Sequence, residues 1–192
     1  MDKLVDKLLA QIEEWQYLVN CLKFSAPHLH TLADTIAELI CNKRTLICGN
    51  GGSASQAQHF AGELVGRYRQ TRRPLNAVAL SSDGAVLTCI ANDFGIDPLF
   101  ARQVEGLGAT GDLLIALSTS GRSPNILHAL QAAHTKGMRT LALLGRDGGI
   151  AKDMAEFQWT VPSTNTARIQ EVHLLIIHLI CEKVDSLLLG KE

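Results

Sequence analysis

From Thr45 onward, short apolar runs alternate with stretches whose apolar residues recur at helical spacing, and this alternation limits the fold more than any other feature. The runs lie at 45–48, 77–80, 113–117 and 140–144, with a weaker one at 157–161. Each has the length of a strand and lacks clean period-two alternation, as expected for strands covered on both faces. Between and after them the spacing predicts helices over 53–68, 84–91, 98–107, 123–136 and 151–154, then a long one over 166–189. A β–α alternation of this kind implies an α/β fold, a doubly wound parallel sheet between two layers of helices. Hydrophobic residues make up 46% of the 192-residue chain, enough for one packed core, and the 19% charged residues are too few for a disordered chain.

The first 44 residues are different. Leu4, Leu8, Ile12, Trp15, Val19 and Leu22 fall on one face of a helix. After Ser25-Ala26-Pro27 a second stripe follows, Leu29, Leu32, Ala33, Ile36, Ala37 and Ile40, with proline at the helix start where its fixed φ is suitable. The reading is a single domain overall, with residues 1–44 a helical extension and 45–192 the α/β unit. A helix with one apolar stripe has to cover it, on its own domain or on another subunit, so an oligomer is expected.

Eighteen basic against nineteen acidic residues give a net charge of −1, which argues against a nucleic-acid partner. No apolar run approaches the ~18 residues that would span a bilayer. The first residues carry acids within their apolar pattern and no signal-peptide cleavage site. Five cysteines are scattered without CxxC or zinc-ribbon spacing, the pattern of a reducing compartment. A soluble, cytoplasmic protein without a membrane partner is expected.

Parallel sheets bind ligands beyond the carboxyl ends of their strands. Two such ends here are rich in small and hydroxyl residues: Cys48-Gly49-Asn50-Gly51-Gly52-Ser53-Ala54-Ser55 and Ser118-Thr119-Ser120-Gly121-Arg122-Ser123. Hydroxyls, close backbone N–H groups and a following helix N-terminus are the parts of a phosphate site. Neither loop matches GxxxxGK[ST] or GxGxxG, and one loop alone would read as tight turns and caps. Two at equivalent strand ends point to a phosphorylated small molecule.

His59 and Glu63 stand at i, i+4 on the helix after the first loop. Such a pair binds metal or moves protons, and is equally often a solvated pair, which is the better reading of these two taken alone. Gln170, Glu171, His173 and His178 lie on the last helix. Gln170 and His178 are separated by a rise of ~12 Å and about 80° of rotation, so they reach one ligand only by leaning toward a midpoint. Glu171 also suits the helix dipole. His28, His30, His128 and His134 read as surface or packing residues. Arg67, Arg69, Arg72 and Arg73 read as a solvated basic run, with Arg67 one turn beyond Glu63.

Four segments, "CGNGGSASQAQHFAGELVGRY", "IANDFG", "STSGRS" and "ARIQEVHLLIIH", occur in one order and together resemble the phosphoheptose isomerases of the sugar-isomerase (SIS) domain family. The resemblance covers nearly the whole chain and implies a flavodoxin-like SIS sandwich assembled as a homotetramer with shared active sites. It implies conversion of sedoheptulose 7-phosphate to D-glycero-D-manno-heptose 7-phosphate, on the route to the nucleotide-activated heptose of lipopolysaccharide. By the same matching, one zinc ion per active site would be held by His59, Glu63, Gln170 and His178. Substrate would contact Asn50, Gly51, Gly52, Ser53, Glu63, Asn92, Asp93, Ser118, Thr119, Ser120, Ser123 and Gln170. Glu63 would be the base and His178 its acid–base partner. Ala167 stands where some isomerases have aspartate before Arg168, which removes an auxiliary charge.

The same fold carries a replication-initiation regulator, similar in its "AQHFA" and "ARIQE" segments, that lacks acid–base residues at the positions matching Glu63 and His178. A non-catalytic SIS module, binding a sugar phosphate or the replication initiator, is therefore the alternative. SIS chemistry on an amino or lactyl sugar is a third. The presence of both side chains here favours the isomerase.

Overall fold

Successive residues of the central strands enter two different cores, which explains their continuous apolar character. In a computed structural model, which describes residues 3–190, the order of elements is α1 (Lys3–Phe24), α2 (Ala26–Asn42), β1 (Thr45–Gly49), α3 (Gly52–Val65), β2 (Ala77–Ala79), α4 (Gly84–Phe94), α5 (Ala101–Leu107), β3 (Leu113–Ser118), α6 (Pro124–Thr135), β4 (Arg139–Gly145), α7 (Ala151–Met154), β5 (Phe157–Val161) and α8 (Thr166–Leu189). Ile47, Leu113, Ile115, Leu117, Leu141 and Leu143 pack with α2, α3 and α8 on one face. Leu46, Cys48, Leu114, Ala116, Ala142 and Leu144 pack with α4, α5, α6 and α7 on the other. Each fully buried Leu, Ile or Phe contributes about 1.5–3 kcal/mol.

All strand pairs are parallel, in the order β2-β1-β3-β4-β5. β1 leads through α3 to β2 on one side and lies against β3 on the other, so the winding reverses between β1 and β3. The expected doubly wound α/β fold is present, and its crevice opens at the carboxyl ends of those two strands.

The two N-terminal helices have unequal roles. α2 buries Leu29, Leu32, Ala33, Ile36, Ala37 and Ile40, the whole expected stripe, and packs along α8. α1 buries only Leu18, while Val5, Leu8, Leu9 and Ile12 are exposed. It is tied down by polar contacts: Ser163 Oγ and Asn165 Nδ2 donate to the Glu14 carboxylate at 2.7 and 2.9 Å. Among the described residues no helix is long and apolar enough to cross a membrane.

The third predicted helix is shorter than expected, ending at Val65 instead of residue 68. The reason is a tertiary cap. The Arg72 guanidinium turns back to donate to the Glu63 and Leu64 carbonyls at 2.6 and 2.7 Å, satisfying acceptors that a helix end leaves unpaired.

Candidate active site

The two small-residue loops meet at the winding reversal. Asn50, just past β1, and Asn125, in the first turn of α6, exchange reciprocal amide hydrogen bonds of 2.9 and 2.8 Å. Asn125 is buried, and sequence reasoning missed it, because nothing local distinguishes an asparagine near a helix start from an ordinary capping residue. In the second loop the Gly121 N–H donates to Ser118 Oγ at 3.1 Å and the Arg122 N–H to Ser120 Oγ at 3.3 Å. Gly121 has a φ of +61°, and a Cβ there would collide with the Gly148 carbonyl, so only glycine lets the 118–123 and 145–149 loops touch. Thr119 and Ser120 are half-buried beside this turn. Ser123 occupies the N-cap of α6 without a side-chain capping bond.

The first loop leads into a seam between α3 and α8. Ser53 is buried in the first turn of α3. A Cβ on Gly52 would stand 2.6 Å from Gln170 Nε2, so the glycine is what admits the Gln170 amide. Gln56, one turn further, donates through Nε2 to the Gln170 carbonyl at 2.6 Å, and its Oε1 has no protein partner.

Two turns along the same seam, His59 Nε2 lies 3.0 Å from His178 Nε2 and 3.5 Å from Glu63 Oε1. A hydrogen bond between these nitrogens needs one ring to donate and the other to accept. Burial holds the His178 imidazole below the usual histidine range, and the neighbouring His59 adds to this, while Glu63 opposes it. The carboxylate and two imidazoles predicted to work together are thus gathered at one place, between two helices that both start at the carboxyl edge of the sheet.

Known proteins share this fold. Residues 14–145 match the SIS domain family. The phosphoheptose isomerase of a Nitratiruptor species is 50% identical over 160 residues, 83% of this chain and 86% of that protein. That of Geobacter sulfurreducens is 44% identical over 185 residues, covering 95% and 98%. This chain belongs to the phosphoheptose isomerase family. The solved phosphoheptose isomerase GmhA from Neisseria gonorrhoeae superposes with a TM-score of 0.87 at 40% identity, covering 96% of this chain and 100% of that one.

For a phosphoheptose isomerase family member, the remaining site residues fall into distinct places. Asn92 and Asp93 are exposed at the end of α4, where Asn92 Nδ2 donates to Asp93 Oδ1 at 2.7 Å and the Cys89 thiol to Asp93 Oδ2 at 3.7 Å. Those hydrogen bonds stay within α4 and join neither strand-end loop. His173 faces away from the seam, fully buried, with Nε2 donating to the Leu144 carbonyl at 2.9 Å. That bond fixes the tautomer and leaves Nδ1 unpaired, and burial pushes the ring down to about 4. Glu171 pairs with Arg168 on its own helix. Burial pushes the Cys48 thiol up to about 12, so it behaves as a small core hydrophobe.

The arginine run is where the sequence reading needs correction. Arg67 is exposed, but Arg72 is not solvated. Its side chain and that of Asp185 are 1% and 7% exposed, and Nε donates to Asp185 Oδ1 at 3.2 Å. Asp185 Oδ2 also accepts the backbone N–H of Arg69 and Gln70 at 3.2 and 3.1 Å. One carboxylate therefore holds the chain after α3 against the far end of α8.

The donor chemistry suits a borderline-soft cation. Imidazole nitrogen and carboxylate oxygen are ordinary zinc ligands, and bonds near 2.0–2.1 Å in a tetrahedron set nitrogens about 3.3 Å apart, close to the observed His59–His178 spacing. Among the described residues, however, no group of three or more His, Cys, Asp and Glu stands ready to hold a metal. His59, His178 and the Glu63 carboxylate, with an amide such as that of Gln170 in the same seam, are the residues that would hold such an ion.

Proposed function

We propose that this protein is an aldose–ketose isomerase that converts sedoheptulose 7-phosphate to D-glycero-D-manno-heptose 7-phosphate, opening the synthesis of nucleotide-activated heptose for lipopolysaccharide in the cytoplasm. The observation that carries this reading is the convergence of His59, Glu63 and His178 on one seam beside two linked small-residue loops, in a chain of this family.

The reaction moves one proton between adjacent carbons. Glu63 takes the proton from C1 of the ketose, leaving an enediol, and returns it to C2 to give the aldose. His178 manages the oxygen protons: it donates to the C2 oxygen as the enediol forms and accepts from the C1 hydroxyl as the aldehyde forms. A ring held below the usual histidine range is largely neutral at pH 7 and can do both. Ser118, Thr119, Ser120 and Ser123, with the backbone of Asn50, Gly51, Gly52 and Ser53, hold the sugar phosphate far from the reacting carbons, so remote binding orients C1 over Glu63. Asn92 and Asp93 complete the sugar contacts. When bound by His59, Glu63, Gln170 and His178, zinc supplies Lewis-acid polarisation of the substrate carbonyl.

The active unit is a homotetramer with shared active sites. Support comes from α1, whose apolar Val5, Leu8, Leu9 and Ile12 are uncovered in one chain and suit burial against another copy.

The test is NMR of the protein with sedoheptulose 7-phosphate in D2O, with zinc and then with a chelator. The expected result is an aldose heptose phosphate carrying deuterium at C2, formed faster with zinc. No aldose from folded, zinc-supplied protein overturns the assignment.

A further inference from the structure

Metal-binding and proton-transferring histidines are usually oriented through their second ring nitrogen, which donates to a carboxylate or a carbonyl. His178 is different. Its Nε2 faces His59, and among the described residues Nδ1 has no protein hydrogen-bond partner. What the ring has is an aromatic face. Tyr68 stacks on it with centroids 5.7 Å apart and planes inclined by 26°. His59 meets the same ring at 5.3 Å and 64°, edge to face. The imidazole is thus flanked by one parallel and one edge-on neighbour, a geometry that fixes its plane.

Tyr68 is itself held from two sides. The Arg69 guanidinium lies 5.2 Å from the Tyr68 ring centroid and is paired with Glu182. The backbone beside Tyr68 is fixed by Asp185, which accepts the N–H groups of Arg69 and Gln70 and the buried Arg72 side chain. Asp185 is two turns beyond His178 on α8, and Arg72 in turn binds the Glu63 carbonyl at the end of α3. One buried ion pair therefore references the tyrosine to both helices of the reacting seam.

We infer that Tyr68 is the positioning residue for His178: its ring, held by the Arg72–Asp185 pair, sets the imidazole plane so that Nε2 points at His59. The aromatic face is the working part, and the hydroxyl is dispensable. The kinetic consequence rests on the isomerase reading above; the orientation of the ring does not.

The experiment compares Tyr68→Leu and Tyr68→Phe in the full-length protein by two measurements. In the first, kcat and KM for sedoheptulose 7-phosphate are measured together with thermal unfolding. Tyr68→Leu is expected to lower kcat roughly ten- to a hundredfold through misplacement of the ring, with KM and the unfolding temperature nearly unchanged, and Tyr68→Phe to recover most of that loss. The second uses protein labelled at histidine 13Cε1, with the His178 signal assigned by its absence in His178→Gln. The upfield displacement expected of a proton over an aromatic face should be present in the wild type and Tyr68→Phe and lost in Tyr68→Leu. An unmoved His178 signal in Tyr68→Leu overturns the inference, as does equal impairment of both variants, or a rise in KM or a fall in unfolding temperature that accounts for the lost turnover. If the wild type isomerises nothing, the kinetic arm falls with the isomerase reading, and the NMR arm still decides whether Tyr68 orients His178.

Discussion

The strand-end loops and the α3–α8 seam border one site and are built on opposite principles. The loops present mainly hydroxyl and amide groups, some of them paired with one another, Asn50 with Asn125 and Ser118 with the Gly121 N–H, and the guanidinium of Arg122 is paired with Asp147. The seam is titratable, with two imidazole nitrogens 3.0 Å apart and a carboxylate 3.5 Å from one of them. A phosphate site gains from donors already fixed in place, which spares the entropy of ordering them on binding. A proton-transfer site needs groups that are free to change charge. The difference teaches where each kind of damage should appear: loop variants in KM, seam variants in kcat.

Glu63→Gln is the sharpest test of that division. It keeps the shape and removes the proposed base, so kcat should fall on the order of a thousandfold, with KM and the unfolding midpoint nearly unchanged. Stopped assays on the purified variant check it. A large rise in KM would erase the distinction between seam and loops.

Next in size is the support under the seam. Asp185→Asn leaves the Arg72 guanidinium buried without its counter-charge, and breaking such a pair costs about 3–5 kcal/mol. Urea unfolding should show that loss. The double variant Arg72→Met/Asp185→Leu should recover part of it, because no buried charge remains; a double variant less stable than the sum of the singles would mean that the cap on α3 matters more than the charge.

How much of this was legible in the sequence follows from range. The strands were, because a run such as Leu113–Leu117 carries its own signal, and so was the α2 stripe. His59 and Glu63 were, because i, i+4 spacing is local. The end of α3 was not, since Leu64, Val65 and Tyr68 continue a plausible helical pattern and only the returning Arg72 stops it. No local pattern marks Asp185, and the four arginines within seven residues read as one solvated run. Which arginine is buried depends on a partner 113 residues away in sequence, and no local pattern encodes that. Asn125 was hidden for the same reason, its partner being 75 residues distant.

His173 gives a pH-dependent counterpart on the same helix as His178. Its folded pKa of about 4 lies below the usual 6.5, so between those values the unfolded chain binds the extra proton and stability rises with pH. Stability is complete above about pH 6.5 and declines as pH falls toward 4, by up to about 3 kcal/mol for a displacement of this size. Denaturant titrations at pH 7 and pH 4.5 on the wild type and His173→Gln check it: glutamine can still donate to the Leu144 carbonyl but does not titrate. The wild type should lose more stability than the variant over that interval. Parallel loss would place the acid sensitivity in other groups.

The smallest expected effect tests the loop side of the comparison. Asn125→Ala removes both hydrogen bonds to Asn50, leaving an amide that must find new partners at a cost of about 1–3 kcal/mol. If the pair pre-sets the first loop for the sugar phosphate, KM should rise about tenfold, equivalent to about 1.4 kcal/mol, while kcat at saturating substrate changes little. Asn125→Asp separates the two bonds. Its carboxylate still accepts from Asn50 Nδ2 but cannot donate to Asn50 Oδ1, and it adds a negative charge near the phosphate, so its KM should exceed that of the alanine variant. An Asn125→Ala enzyme with normal KM and reduced kcat would show that the loops and the seam act as one unit, and the separation of binding from proton transfer would have to be abandoned.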